Sequence, residues 1–133
     1  MSPHVPFSGE EVEARLRQNA EQFHRVLWIE DFVTRHLLYV SPTYESIWGA
    51  NTQTLLAAPL HFLDSLLPED RPEFKKHLSR QRRGEFSEME YCILRPDGAV
   101  RRIRDWAFPL YNAAGEIYRT AGVAEDVTAN NGA

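Results

Sequence analysis

The sequence is short of the features that mark many specialised chains. It has one cysteine, Cys92, in 133 residues, so no intrachain disulfide can form. That fits a reducing compartment, and a cytoplasmic location is expected. No apolar run approaches the roughly 20 residues of a membrane span. The start, MSPHVPFSGEEVEARL, has no apolar core of a secretory signal. If the parent protein is membrane-bound, its anchor is expected elsewhere. A basic excess is missing too: 15 Lys and Arg against 19 Asp and Glu give a net charge of −4, which disfavours a general nucleic-acid binder. His4, His24, His36 and His61 show no metal-ligand spacing, so no metal site is expected. Repeats and low-complexity tracts are absent.

What is present reads as one α+β domain, with 43% apolar residues to build a core. Met1 to Phe7, with two prolines, is expected to be extended. Ser8-Gly9-Glu10-Glu11 forms a capping box and predicts a helix to about His24. Val12, Leu16, Ala20 and Phe23 make one apolar stripe along it. Two short strands follow, Arg25 to Phe32 and His36 to Ser41. Ser41-Pro42 reads as N-cap and N1 of a short helix ending at Gly49. Asn51 or Thr52 caps another, and Pro59 opens a third turn. The run PEDRPEFKKHLSRQRRG predicts a longer helix, acidic at its start and basic at its end, with Gly84 beyond it. Three strands close the chain: Glu85–Leu94, Ala99–Tyr111 and Glu116–Val127. The pattern implies a mostly antiparallel sheet. The tail, Ala129–Ala133, is expected to fray.

The block from Arg95 to Thr128 carries the most information. Pro96-Asp97-Gly98 supplies the backbone a hairpin turn needs, and a second Gly turn precedes the last strand. This block resembles the C-terminal half of a PAS sensor domain, with its "RPDG" hairpin, its strand ending in "FP" and its closing "GxAEDIT". Tyr39-Val40-Ser41-Pro42-Thr43-Tyr44 resembles the family's "YVSPAFE" junction, and Leu67-Pro68-Glu69-Asp70 its "HPEDR" segment. The resemblance covers about Glu10 to Thr128. It implies a five-stranded antiparallel sheet in the order 2-1-5-4-3, with short helices over one face enclosing a cavity. It also implies a sensory module that hands a conformational signal to an effector of histidine kinase or diguanylate cyclase type.

Departures from the family narrow the cofactor. Flavin-based light sensors carry Asn-Cys-Arg-Phe-Leu-Gln in the helical middle; here the run is Pro59-Leu60-His61-Phe62-Leu63-Asp64. Leu60 takes the place of the photoreactive cysteine and Ala124 that of a flavin-contacting Gln. No covalent flavin is expected. His77 lies on the long helix near Phe74 and Leu78, but haem-binding members place their His nearer Phe74, so a packed or solvated histidine is expected rather than a haem ligand.

Alternation puts Ile103, Asp105 and Ala107 on one face of the long strand, and Arg102, Arg104, Trp106 and Phe108 on the other. In the family register the first set faces the cavity. The residues expected to line or fill it are Ile47, Leu56, Phe62, Phe74, Leu78, Met89, Tyr91, Ile103, Asp105, Ala107 and Ala124. Asp105 reads either as a ligand contact or as a structural carboxylate paired with an Arg or backbone amides. Trp106, Phe108 and Leu110 need a cover, and the N-terminal stripe, from the same chain or a neighbour's, is the candidate. A homodimer through Val12, Leu16, Ala20, Phe23, Trp106 and Phe108 is expected. Arg95, Arg101, Arg102 and Arg104 gather near one hairpin, read as a solvated or partner-facing surface. Asp126-Val127-Thr128 is expected to form the signal output. No residue is expected to be catalytic. Two other classes compete: an interaction module with a filled core, and a small isomerase-like enzyme using Asp105 against Tyr91.

Overall fold

The computed structural model describes residues 9–20 and 25–128. Ser8 of the capping box, the Ala20 side chain, Phe23 and the tail lie outside the described residues. The elements are α1 (Gly9–Ala20), β1 (Arg25–Asp31), β2 (Leu37–Val40), α2 (Thr43–Trp48), α3 (Thr52–Ala57), a 3-10 segment (Pro59–Ser65), a second 3-10 turn (Pro68–Asp70), α4 (Arg71–Arg82), β3 (Ser87–Leu94), β4 (Val100–Tyr111) and β5 (Ile117–Asp126).

The strands form one sheet in the order β2-β1-β5-β4-β3, as expected, and every neighbouring pair is antiparallel. Hairpins make three of the four pairings. The fourth joins β1 to β5 from Arg25↔Glu125 to Asp31↔Arg119. Because side chains alternate across a strand, the sheet has two buried faces. The outer face gathers Leu27, Ile29, Leu110 and Ala121, with Val12 and Leu16 of α1 packed on them. The inner face gathers Val26, Tyr91, Ile93, Ile103 and Ala124 under the helical middle.

The helical middle is tied down at three points. Arg95, first residue of the RPDG turn, donates to the carbonyls of Ser46 (2.8 Å) and Ile47 (3.0 Å) at the end of α2. A cation there also meets the negative end of the helix. Gly49 then reverses the chain at φ 69°, a conformation that suits glycine. The LPED segment anchors the start of α4 to the edge strand β3: Leu67 N–H donates to Cys92 O (3.1 Å), and Asp70 Oδ2 accepts from Cys92 N–H (2.8 Å). Asp70 therefore serves β3, not the helix it precedes.

The third tie corrects the sequence reading. Ser41 is not the N-cap of α2; Pro42 holds that position and gives no side-chain bond. Ser41 instead extends the β1–β2 ladder. Its N–H donates to Leu27 O (2.8 Å), and its Oγ accepts from Leu27 N–H (2.9 Å). Asn51, by contrast, caps α3, its side chain accepting from Gln53 N–H (2.6 Å). Ser41→Ala would leave the Leu27 N–H buried and unpaired. A loss of about 1–3 kcal/mol is expected, measured by urea unfolding. An unchanged midpoint and slope would contradict the role given to this hydroxyl.

Candidate functional site

Between the inner sheet face and the helical middle lies a cavity of about 720 Å³, within the size range of small-molecule sites. It sits over β1 and β5. Its floor is built from Val26, Trp28 and Ala124, and its roof from Tyr44, Trp48, Leu55, Phe62 and Leu63. Glu30, Arg35, His36 and Arg82 also line it. Arg35 has φ 66°, unusual for a residue with a Cβ. Contacts offset the cost: its guanidinium bonds Arg82 O (3.2 Å), pairs with Glu30 (3.5 Å) and lies over Phe32. Burial pushes the Glu30 carboxyl up, with Arg35 opposing.

Of the residues expected at the cavity, Leu56, Phe62, Phe74, Leu78, Tyr91, Asp105 and Ala124 line it. Ile47 and Ile103 do not line it but fill the packed core beside it, with Met89 against that core. Ala107 is fully buried on β4, in register with Gly122 and Ser87. The reason is asymmetric filling. α4 packs Phe74 and His77 over β3 and β4, which leaves the open space over β1 and β5.

Trp28 was absent from the expected set, yet it shapes the floor. Gly122 lies opposite it on β5. A Cβ built there would overlap the indole at Nε1, Cε2 and Cζ2. The ring therefore lies across the strand, where only glycine admits it. Tyr44 and Gln81 were also missed. Burial pushes the Tyr44 hydroxyl up to about 12. The signal available for Trp28 was the run Val26-Leu27-Trp28-Ile29, apolar on both faces, which marks a central strand.

A buried polar chain runs beneath the cavity. Tyr91 Oη donates to Asp105 Oδ2 (3.2 Å), His77 Nε2 faces the same oxygen at 3.5 Å, and His77 Nδ1 bonds Ser87 Oγ (2.7 Å). His77 is 0% exposed and Asp105 3%. Burial, and next the Asp105 carboxylate, raise the Tyr91 hydroxyl well above its ordinary value, so it stays protonated and donates. Among the described residues Asp105 thus has neither an Arg nor a backbone partner, contrary to the structural pairing anticipated, and its Oδ1 and His77 Nε2 have no hydrogen-bond partner.

At the far end of β5, Asp126 Oδ2 binds Arg101 at Nε (2.7 Å) and Nη2 (2.6 Å), and its Oδ1 accepts from Thr128 N–H (3.0 Å). Thr128 Oγ1 accepts from Arg102 N–H (2.7 Å), while Val127 N–H donates to Arg102 O (2.9 Å). All three residues are stapled to β4. The other arginines of that patch are paired as well: Arg104 holds Glu90 (2.9 Å), and Arg102 lies 3.9 Å from it.

A family model described as the PAS fold matches residues 37–124. The chain belongs to the PAS family. Among solved structures, a domain assigned to a light and redox sensing histidine kinase from Haloarcula marismortui is 30% identical, covering 86% of this chain and 99% of that one at a TM-score of 0.67. A sensory box histidine kinase/response regulator from Burkholderia thailandensis is 25% identical, over 88% and 87% at 0.64. The N-terminal domain of a diguanylate cyclase with a PAS/PAC sensor from Marinobacter aquaeolei shares the fold at 20% identity, over 80% and 98% at 0.67. No curated protein matches. Among the described residues no helix is long and apolar enough to cross a membrane, and no cluster of potential metal ligands occurs.

Two predictions follow from this geometry. Gly122→Ala should displace the Trp28 indole, with a loss of about 1–3 kcal/mol from overpacking and a shift in tryptophan emission. Native stability and emission would refute the close approach. For Asp126, burial pushes the carboxyl up, but bonds from Thr128 and Arg101 outweigh it and hold the group below its ordinary 3.8. A lowered folded value means the contribution is complete above about pH 4 and is lost as pH falls through the folded value. The stability gap between wild type and Asp126→Asn, about 1 kcal/mol or less at a partly solvated site, should therefore close on acidification below pH 4. A gap that persists there would refute it.

Proposed function

We propose that this PAS domain is a sensory module that binds a small ligand without covalent attachment and passes its occupancy to an effector of histidine kinase or diguanylate cyclase type. The observation that carries this reading is the cavity of about 720 Å³ whose floor includes β5. An interaction module with a filled core would lack it. Ala124 lines the cavity two residues before Asp126, so a ligand that bears on β5 acts on the strand that ends in the Asp126-Val127-Thr128 staple.

The residues do not suit the family's coloured cofactors. Leu60, 68% exposed, stands where a flavin adduct needs a thiol. His77 is fully buried, with both ring nitrogens turned to Ser87 and Asp105. Nor does the site suit an isomerase: Tyr91 donates to Asp105 itself and so does not oppose it across a substrate. The domain is read as non-catalytic and cytoplasmic. A homodimer belongs to this reading, but Val12 and Leu16 are spent on their own sheet. Trp106, on the same outer face and outside that cluster, is the better contact.

The reading is tested in a chain joined to its effector. Ala124→Phe, which fills the cavity floor, should fix effector output at one level while the domain still folds by circular dichroism. Asp126→Ala should alter output at a cost in domain stability of about 1–2 kcal/mol. Wild-type regulation in both folded variants would overturn the proposal.

A further inference from the structure

The geometry points to a ligand class: a planar ring compound carrying an N–H donor, its ring laid on Trp28 and its N–H bonded to Asp105. This inference rests on the ligand-binding reading above and narrows it.

The first support is an unanswered acceptor. Asp105 is 3% exposed, forms part of the cavity wall, and leaves Oδ1 without a partner. Buried polar atoms in folded proteins are nearly all satisfied, by protein groups, water or ligand. Among the described residues, the hydrogen-bond and ion-pair partners of its carboxylate are the Tyr91 hydroxyl and the His77 ring, and both meet Oδ2. A donor is what Oδ1 needs, and a ligand carboxylate brought there would meet like charge. Arg35 and Arg82, the cavity's arginines, lie elsewhere in the wall, and Arg35 is already held by Glu30 and the Arg82 carbonyl.

The second support is a flat floor between the two anchor points. In register, Trp28 pairs with Gly122, and Gly122 with Ala107. One step along, Val26 pairs with Ala124, and Ala124 with Asp105. From the indole to the carboxylate the floor therefore carries only glycine and alanine. The Trp28 ring already lies across β5 at Gly122, so the remaining reach to Asp105 on β4 is about one strand spacing, about 5 Å, which a ring laid on the indole can span. The third support is the facing wall. Phe62 packs 5.2 Å from Phe74 and 5.8 Å, edge on, from Tyr91. Aromatic rings above and an indole below favour a flat aromatic guest over a flexible chain.

The test uses indole, benzothiophene and 1-methylindole as probes on the 133-residue chain, with affinities from calorimetry. The two comparison compounds keep the bicyclic shape and lack the N–H. Indole should bind at least about 10-fold tighter than either, the lower end for a hydrogen bond to a charged acceptor. In Asp105→Asn the preference should fall to within about 3-fold. The comparison in wild type needs no variant, so it stands even if Asp105→Asn fails to fold. Equal wild-type affinities, or a preference that Asp105→Asn leaves intact, would overturn the donor assignment. If those equal affinities are abolished by Ala124→Phe, the cavity still binds ligands and only the class is wrong. If none of the probes binds, the class is also wrong, and the effector experiment above decides separately whether the cavity senses anything.

Discussion

Everything else hangs on the pairing of the first strand with the last. Arg25 lies opposite Glu125, and the ladder runs for seven residue pairs to Asp31 and Arg119. β2 reaches the sheet only through β1, and β3 only through β4 and β5. Because β1 and β5 are central, each has both faces covered. Leu27 and Ile29 meet α1 on one side, while Val26 and Trp28 meet the helical middle on the other. The cavity exists because β5 then puts Gly122 and Ala124, not larger groups, on the inner face.

That inner face is a compromise between packing and opening. Over β3 and β4 it is closed, with Ile93 and Ile103 fully buried and Phe74 set against Tyr91. Over β1 and β5 it is open. The boundary is the Tyr91–Asp105–His77–Ser87 chain. Buried polar groups of this kind are expensive when partly satisfied and stiffening when fully satisfied. Two of its atoms lack partners, so the boundary is where a guest gains most.

The sequence carried the architecture well, and for physical reasons. Turn chemistry at Gly98 and Gly115, both at positive φ, fixed two hairpins, and alternation along Val100–Tyr111 assigned its faces. The PAS motifs supplied the strand order, which no periodicity encodes. The site was less legible. Ile103 and Ala107 share a face with Asp105, but parity cannot say how far along a strand the void extends. Trp28 escaped because its role depends on a missing side chain 94 positions away, at Gly122. Ser41 looked like a cap because Ser-Pro before a helix usually is one; the ladder claimed its hydroxyl first. The Ser87–His77 bond joins two residues whose side chains say nothing of each other in sequence. Val12 and Leu16 did mark a stripe correctly, although its partner is the chain's own sheet.

The placement of β5 also governs how the domain can be made. Until residues 117–126 have been synthesised, the chain consists of two separate ribbons, β1–β2 and β3–β4, and each presents an unpaired edge. Ribbons of two strands are barely stable in water, and bare edges invite pairing with other chains. A nascent or prematurely terminated product therefore remains sticky until β5 has been made. Closure then comes late and all at once, when one strand inserts between the two ribbons and removes both inner edges together.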